Sequence, residues 1–121
     1  MTDPTRILLV EDEVITASAL KMGLENFGYT VCPLATRGKR AIAIARSEKP
    51  DVVLMDINLP GGLNGLETAR AILEAIDTKI VFLTGYHDDE IISQIKALNP
   101  LGYLVKPVSV ERIRQLLEKN F

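Results

Sequence analysis

The chain has 121 residues, 47% hydrophobic and 25% charged, with a net charge of −2. That is enough for one domain, residues 1–121, and too few for two ordinary ones; the mild acidity lacks the basic footprint of a direct nucleic-acid binder. No apolar run approaches the roughly 20 residues of a membrane span, the start MTDPTR lacks a signal-peptide stretch, and one Cys, Cys32, permits no internal disulfide and no cysteine-based metal site, so a cytoplasmic protein without a membrane partner is expected.

Residues 6–10, RILLV, form an apolar run that halts at Glu11-Asp12. Helical spacing follows, with Ala17, Leu20, Leu24 and Phe27 predicted on one buried face and Gly28 as the stop. Residues 30–34, TVCPL, read as a second strand, placed at a sheet edge because Pro33 donates no backbone hydrogen bond. Residues 37–48 return to helical spacing through Ala41, Ile42 and Ala45, and Pro50 ends them. Residues 51–55 are a strand that stops at one carboxylate, Asp56, before Pro60, Gly61 and Gly62. A third helix begins near Asn64 and carries Leu66, Ala69, Ile72, Leu73 and Ile76 inward. KIVFLT at 79–84 is a strand ending in Thr84. A fourth helix uses Ile91, Ile92, Ile95 and Leu98, with Asp88, Asp89 and Glu90 at the positive end of its dipole. GYLV at 102–105 is the last strand, and Ser109 caps a last helix facing in through Val110, Ile113, Leu116 and Leu117.

Strand and helix alternate five times, which implies a doubly wound parallel sheet with helices on both faces. The runs at 7–10, 52–55 and 80–83 are nearly pure aliphatic, as interior strands are, and the weaker runs at 30–34 and 102–105 belong at the edges. The order 2-1-3-4-5 satisfies this and places a topological switch point between the first and third strands. Arg6, Asp51 and Lys79 fall at the opposite rim and read as solvated strand starts.

The carboxyl-end rim collects Glu11, Asp12, Asp56, Thr84 and Lys106. Carboxylates held close repel one another, and a hard divalent cation relieves the repulsion. Mg²⁺ takes oxygen ligands and is often held by one or two carboxylates plus a phosphate; a cluster with no His disfavours Zn²⁺. Carboxylate, cation, hydroxyl and lysine together suit phosphoryl transfer, with an Asp nucleophile able to form an aspartyl-phosphate. Taken singly, each residue has a plainer role: Asp56 a cap or turn, Thr84 a strand end, Lys106 a solvated surface charge, Tyr103 a half-buried sheet residue.

The pieces LLVEDE at 8–13, LMDINLPGG at 54–62, NG at 64–65, FLTG at 82–85 and GYLVKP at 102–107 together resemble the receiver domain of two-component response regulators, over essentially the whole chain. The resemblance implies a flavodoxin-like fold of five strands and five helices. It implies that Asp56 is the phosphoacceptor, that Asp12 and Asp56 ligate Mg²⁺ directly (Mn²⁺ as a substitute), Glu11 through water, and Asn58 through its backbone carbonyl. Thr84 and Lys106 become the phosphate-sensing pair, Tyr103 the switch aromatic, and the bond before Pro107 cis. The implied partners are a sensor histidine kinase or phosphotransfer protein and an output partner or attached domain, the chain being a monomer or a phosphorylation-dependent homodimer. Such a domain is a switch that promotes its own phosphorylation and dephosphorylation, not a turnover enzyme. It stands alone or forms part of a larger regulator.

Two features depart from the common receiver pattern. The loop from Asp56 to Gly65 is one residue longer, and NPLGYL lacks the paired acidic residues that precede this Tyr in many DNA-binding regulators. Three rivals remain. A haloacid-dehalogenase-like phosphatase wants an acid two residues after its nucleophile, where this chain has Asn58. A flavodoxin would meet repulsion from Glu11-Asp12-Glu13, and a pseudo-receiver would not bind Mg²⁺. His87, the single His, reads as an exposed helix start, and the resemblance implies that Tyr86, two residues after Thr84, shapes access to the phosphoryl group.

Overall fold

The computed structural model describes residues 4–85 and 88–121. Among them five strands alternate with five helices: β1 (Arg6–Val10), α1 (Val14–Asn26), β2 (Thr30–Val31), α2 (Gly38–Glu48), β3 (Val52–Asp56), α3 (Gly65–Ala75), β4 (Lys79–Thr84), α4 (Asp89–Ala97), β5 (Gly102–Val105) and α5 (Val110–Asn120). All strand pairs are parallel and the order is β2-β1-β3-β4-β5. This is the predicted flavodoxin-like doubly wound arrangement, a single domain of five strands and five helices.

Side chains alternate across a strand, so the aliphatic runs divide between two cores. Leu8, Val10, Val53, Met55, Ile80 and Phe82 pack with Ala41 and Ala45 of α2, Ala69 and Ile72 of α3, and Ile95 of α4. Ile7, Leu9, Val52, Leu54, Val81 and Leu83 pack with Ala17, Leu20 and Leu24 of α1 and Ile113 and Leu117 of α5. Both faces are therefore covered, which is why these strands contain almost no polar residue. Each fully buried aliphatic chain contributes roughly 1.5–3 kcal/mol.

Local signals set the helix ends. After α1, Gly28 takes φ +95°; its N–H donates to Glu25 and the Tyr29 N–H donates to Leu24, a Schellman closure. Asn64 and Glu67 form a reciprocal capping box at α3. Asp88 caps α4 and Ser109 caps α5.

Three expectations need correction. The second strand is Thr30–Val31, shorter than 30–34, although the Cys32 and Ala35 N–H groups still reach Ile7 and Leu9. Pro33 between them donates nothing, so the ladder breaks there. Phe27 is not on the buried face: it follows the last helical residue, is 48% exposed, and lies 4.3 Å beneath the Arg114 guanidinium. Arg6 is not simply solvated. Its N–H donates to Asp51 and its guanidinium pairs with Glu48 at 3.0 Å, stitching the lower rim.

Candidate functional site

The rim at the strand carboxyl ends is held by the continuing ladder. The Glu11 N–H donates to Ala35 (3.0 Å), the Ile57 N–H to Leu83 (3.1 Å) and the Lys106 N–H to Thr84 (2.7 Å). Asp56 closes β3 opposite Leu83, and Thr84 closes β4 opposite Val105. These backbones are therefore fixed by the sheet, not by loops alone. Gly65 fixes the far end of the β3–α3 loop. A Cβ there would collide with the Asp56 carbonyl oxygen and lie 2.6 Å from Ile57 Cα, so only glycine lets α3 start against the site.

Carboxyl oxygens of Glu11, Asp12 and Asp56 lie within 4.8 Å of one another. Glu11 and Asp56 are each only 1% exposed, and Asp12 is half-buried. The Lys106 ammonium reaches both buried carboxylates, 3.0 Å from Asp56 Oδ2 and 3.3 Å from Glu11 Oε2. Their remaining oxygens accept backbone donors: Asp56 Oδ1 from the Asn58 N–H at 3.0 Å, and Glu11 Oε1 from the Glu13 N–H at 3.2 Å.

One ammonium faces three carboxylates, and Glu11 resists ionisation there, chiefly because it is buried. Burial pushes its carboxyl up to about 7. The Glu13 N–H opposes this, the Asp56 charge adds to it, Lys106 opposes it, and a hydrogen bond with Asp12 adds again. Burial alone would lower the Lys106 pKa, but its hydrogen-bonded ion pair with Asp56 and its pairing with Glu11 outweigh burial and raise it. A surplus of buried negative charge lined only by oxygen donors fits a hard divalent cation such as Mg²⁺ or Ca²⁺.

The other predicted residues sit around this group. Thr84 is fully buried at the end of β4. Tyr103 pairs with Phe82 and is half-buried against the α2–α4 core. By alternation Thr84 and Tyr103 point to that same side of the sheet. Asn58 is exposed and meets Asp56 through its N–H. The Lys106–Pro107 bond is cis. Tyr86 and His87 lie outside the described residues. Cys32 is buried in the core, which raises its thiol pKa. The direct Lys106–Glu11 pair was not predicted, and no local motif signals it.

Residues 7–118 match the family profile described as the response regulator receiver domain. The chain belongs to that family. The receiver domain is 36% identical over 109 residues to the transcriptional regulatory protein YdfI of Bacillus subtilis, covering 89% of this chain and 51% of that protein. It is 30% identical over 116 residues to sporulation initiation phosphotransferase F of the same organism, covering 94% and 91%. It thus spans about half the length of the transcriptional regulators that it matches. A signal receiver domain of a modulated diguanylate cyclase from Desulfovibrio desulfuricans superposes with a TM-score of 0.88 at 36% identity, over 97% of this chain and 93% of that one. A response regulator from Burkholderia pseudomallei with a phosphorylated aspartic acid, a calcium ion and citrate superposes at 0.85 and 31%, over 96% and 68%. Among the described residues no helix is long and apolar enough to cross a membrane.

Proposed function

We propose that Asp56 accepts a phosphoryl group from the phosphohistidine of a sensor kinase or phosphotransfer protein, in a Mg²⁺-dependent reaction that switches the α4–β5–α5 surface. The observation that carries this is the pairing of Asp56 Oδ2 with Lys106 at 3.0 Å inside a buried acidic group. An Asp56 oxygen forms the new P–O bond as the P–N bond to the donor imidazole breaks, and the imidazole leaves with the electron pair. Lys106 offsets charge on a phosphoryl oxygen, and the Thr84 hydroxyl donates to another. The bound metal would be held by Asp12, Asp56, Glu11 through water and the Asn58 carbonyl, and would supply positive charge against the phosphoryl oxygens; Mn²⁺ would substitute. The phosphorylated aspartic acid and calcium ion of the Burkholderia relative support this reading.

Thr84 moves toward the phosphoryl group, and Tyr103, on the same side of the sheet, turns into the space that opens. The coupling between phosphate and partner surfaces is about 1–3 kcal/mol. A macromolecular donor is favoured by α1. Val14, Ile15 and Met22 are exposed apolar residues, Ile15 at 87%, on the helix that starts beside the acidic group. The output, whether an attached domain, a partner protein or a phosphorylation-dependent homodimer, receives the change at α4, β5 and α5.

The test combines intact mass with hydroxylamine lability after reaction with acetyl phosphate or a phosphorylated kinase and Mg²⁺. The wild type gains one labile phosphoryl group, Asp56→Asn gains none, and resonances of residues 84–106 shift. Equal uptake by Asp56→Asn, or unchanged resonances with beryllofluoride, would overturn the proposal.

A further inference from the structure

None of the rim residues lies on α2, yet the first residue of that helix is wedged against the segment that seats Asp56. Gly38 opens α2 and is buried. Glycine is a poor helix former, and Gly38 does not take a positive φ, so the backbone does not require glycine here. Space does. A Cβ on Gly38 would collide with Thr68 Oγ1, and it would lie 3.0 Å from Leu63 Cβ and 3.3 Å from the Leu63 carbonyl oxygen. All three atoms belong to the junction between the β3–α3 loop and α3. That junction has little room to give. Thr68 is fully buried and its hydroxyl donates to the Asn64 carbonyl at 2.7 Å, so it is not a loose end that swings aside. Asn64 and Glu67 cap one another, and the Gly65 N–H donates to the Ile57 carbonyl at 2.9 Å. Gly65 in turn lies against the Asp56 carbonyl oxygen and Ile57 Cα. Two close contacts therefore stand in series, Gly38 on Thr68 and Gly65 on Asp56, and close-packed interiors transmit strain.

We infer that Gly38 is a positioning residue for Asp56: by letting α2 close directly on Thr68, it sets how the first turn of α3 sits against Asp56, Ile57 and Asn58. A side chain at position 38 displaces that turn, and Gly65 carries the displacement to the Asp56 backbone. Asn58 follows, and its N–H holds Asp56 Oδ1 at 3.0 Å. The consequences for Mg²⁺ and for phosphoryl uptake rest on the phosphoacceptor reading; the backbone displacement does not.

The test compares Gly38→Ala, Thr68→Ala and the double variant in the full chain, with Gly28→Ala, just past the end of α1 and strained by its positive φ, as the control for lost stability alone. Gly38→Ala is expected to shift the Asn58 and Gly65 amide resonances with no divalent cation present. It is expected to weaken Mg²⁺ binding and slow phosphoryl uptake from acetyl phosphate by roughly tenfold, part of the hundredfold that a misplacement of about 1 Å can cost. Thr68→Ala makes room, and its N–H still serves the Asn64 carbonyl. The double variant should therefore recover most of the loss, a non-additivity that distant residues do not show. Thr68→Val presses a methyl on Gly38 from the α3 side; it should move the same amides and weaken Mg²⁺ likewise, which keeps the test decisive if Gly38→Ala fails to fold. Unmoved amides, a loss that Thr68→Ala does not reverse, or an equal loss in Gly28→Ala overturns the inference and leaves the phosphoacceptor reading intact. Shifted amides with unchanged Mg²⁺ binding and uptake remove the positioning role. A wild type that takes up neither Mg²⁺ nor phosphoryl groups, while the amide shifts appear and reverse, overturns the phosphoacceptor reading instead.

Discussion

Glu11→Gln makes the charge surplus of the rim measurable. In the folded chain the Glu11 carboxyl titrates at about 7, against an ordinary value of 4.5. The folded state therefore holds a proton that the unfolded state has released throughout that interval. Stability must fall as pH rises from 4.5 through about 7, and level off above. At roughly 1.4 kcal/mol per pH unit the full interval is worth at most about 3 kcal/mol. Gln has the shape of the protonated acid and cannot ionise, so the variant escapes this loss. Every other titrating group is shared by the two proteins, so the difference between their profiles reports Glu11 together with the Asp56 and Lys106 charges coupled to it. Urea unfolding across the interval, with divalent cations chelated, should find the two proteins nearly equal at the acid end. The variant should be the more stable by up to about 3 kcal/mol above pH 7. Added Mg²⁺ should narrow the gap, because it binds the ionised cluster of the folded wild type and stabilises it by mass action. Parallel profiles, or a wild type that gains on the variant as pH rises, would refute the claim that burial and the Asp56 charge oppose ionisation of Glu11.

Gly65→Ala should destabilise the fold by roughly 1–3 kcal/mol or more, since its Cβ meets backbone and not a flexible side chain; a thermal melt within a degree of wild type would contradict the close approach. Lys106→Met leaves two buried carboxylates without their ammonium. With divalent cations chelated it should lose roughly 1–3 kcal/mol, an amount tempered by the partial exposure of Lys106, and it should slow phosphoryl transfer about a hundredfold; wild-type rates would remove Lys106 from the reaction. Asn64→Ala breaks the capping box of α3 and should cost about 1 kcal/mol in urea unfolding, with no cost expected if the Glu67 contact alone held the helix start.

The fold was legible because two periodicities dominate the chain. Aliphatic runs buried on both faces cannot be anything but interior strands once each is followed by an amphipathic helix. The misreadings fall where a tertiary partner overrides a local pattern. Phe27 continues the spacing of Ala17, Leu20 and Leu24, but the helix closes through Gly28 before Phe27 can turn inward. Arg114, from α5, then covers its ring. Nothing near Phe27 in sequence announces a residue 87 positions away. The lengthened β3–α3 loop was ambiguous for a different reason. Its ends are pinned, with Ile57 and Leu59 buried and the Gly65 N–H bonded to Ile57, while Gly61 and Gly62 take positive φ at an exposed tip. The extra residue is absorbed where two glycines make it cheap, and the carboxylate next door keeps its place.

The site divides along the same line. Strand ends gather Glu11, Asp12, Asp56 and Thr84 at one rim by topology alone, and topology follows from pattern. Lys106 is different. β5 lies two strands from β3 and three from β1, roughly 10 and 14 Å across the sheet, yet its ammonium touches acids on both. Only a long, flexible side chain leaving the end of an edge strand spans that distance, and its target depends on which strand ends carry unsatisfied charge. A Lys after a short apolar run therefore says nothing by itself. Its role becomes readable only once the strand order is known and the buried acids have been counted, because those acids, not the sequence around Lys106, determine where the ammonium must go.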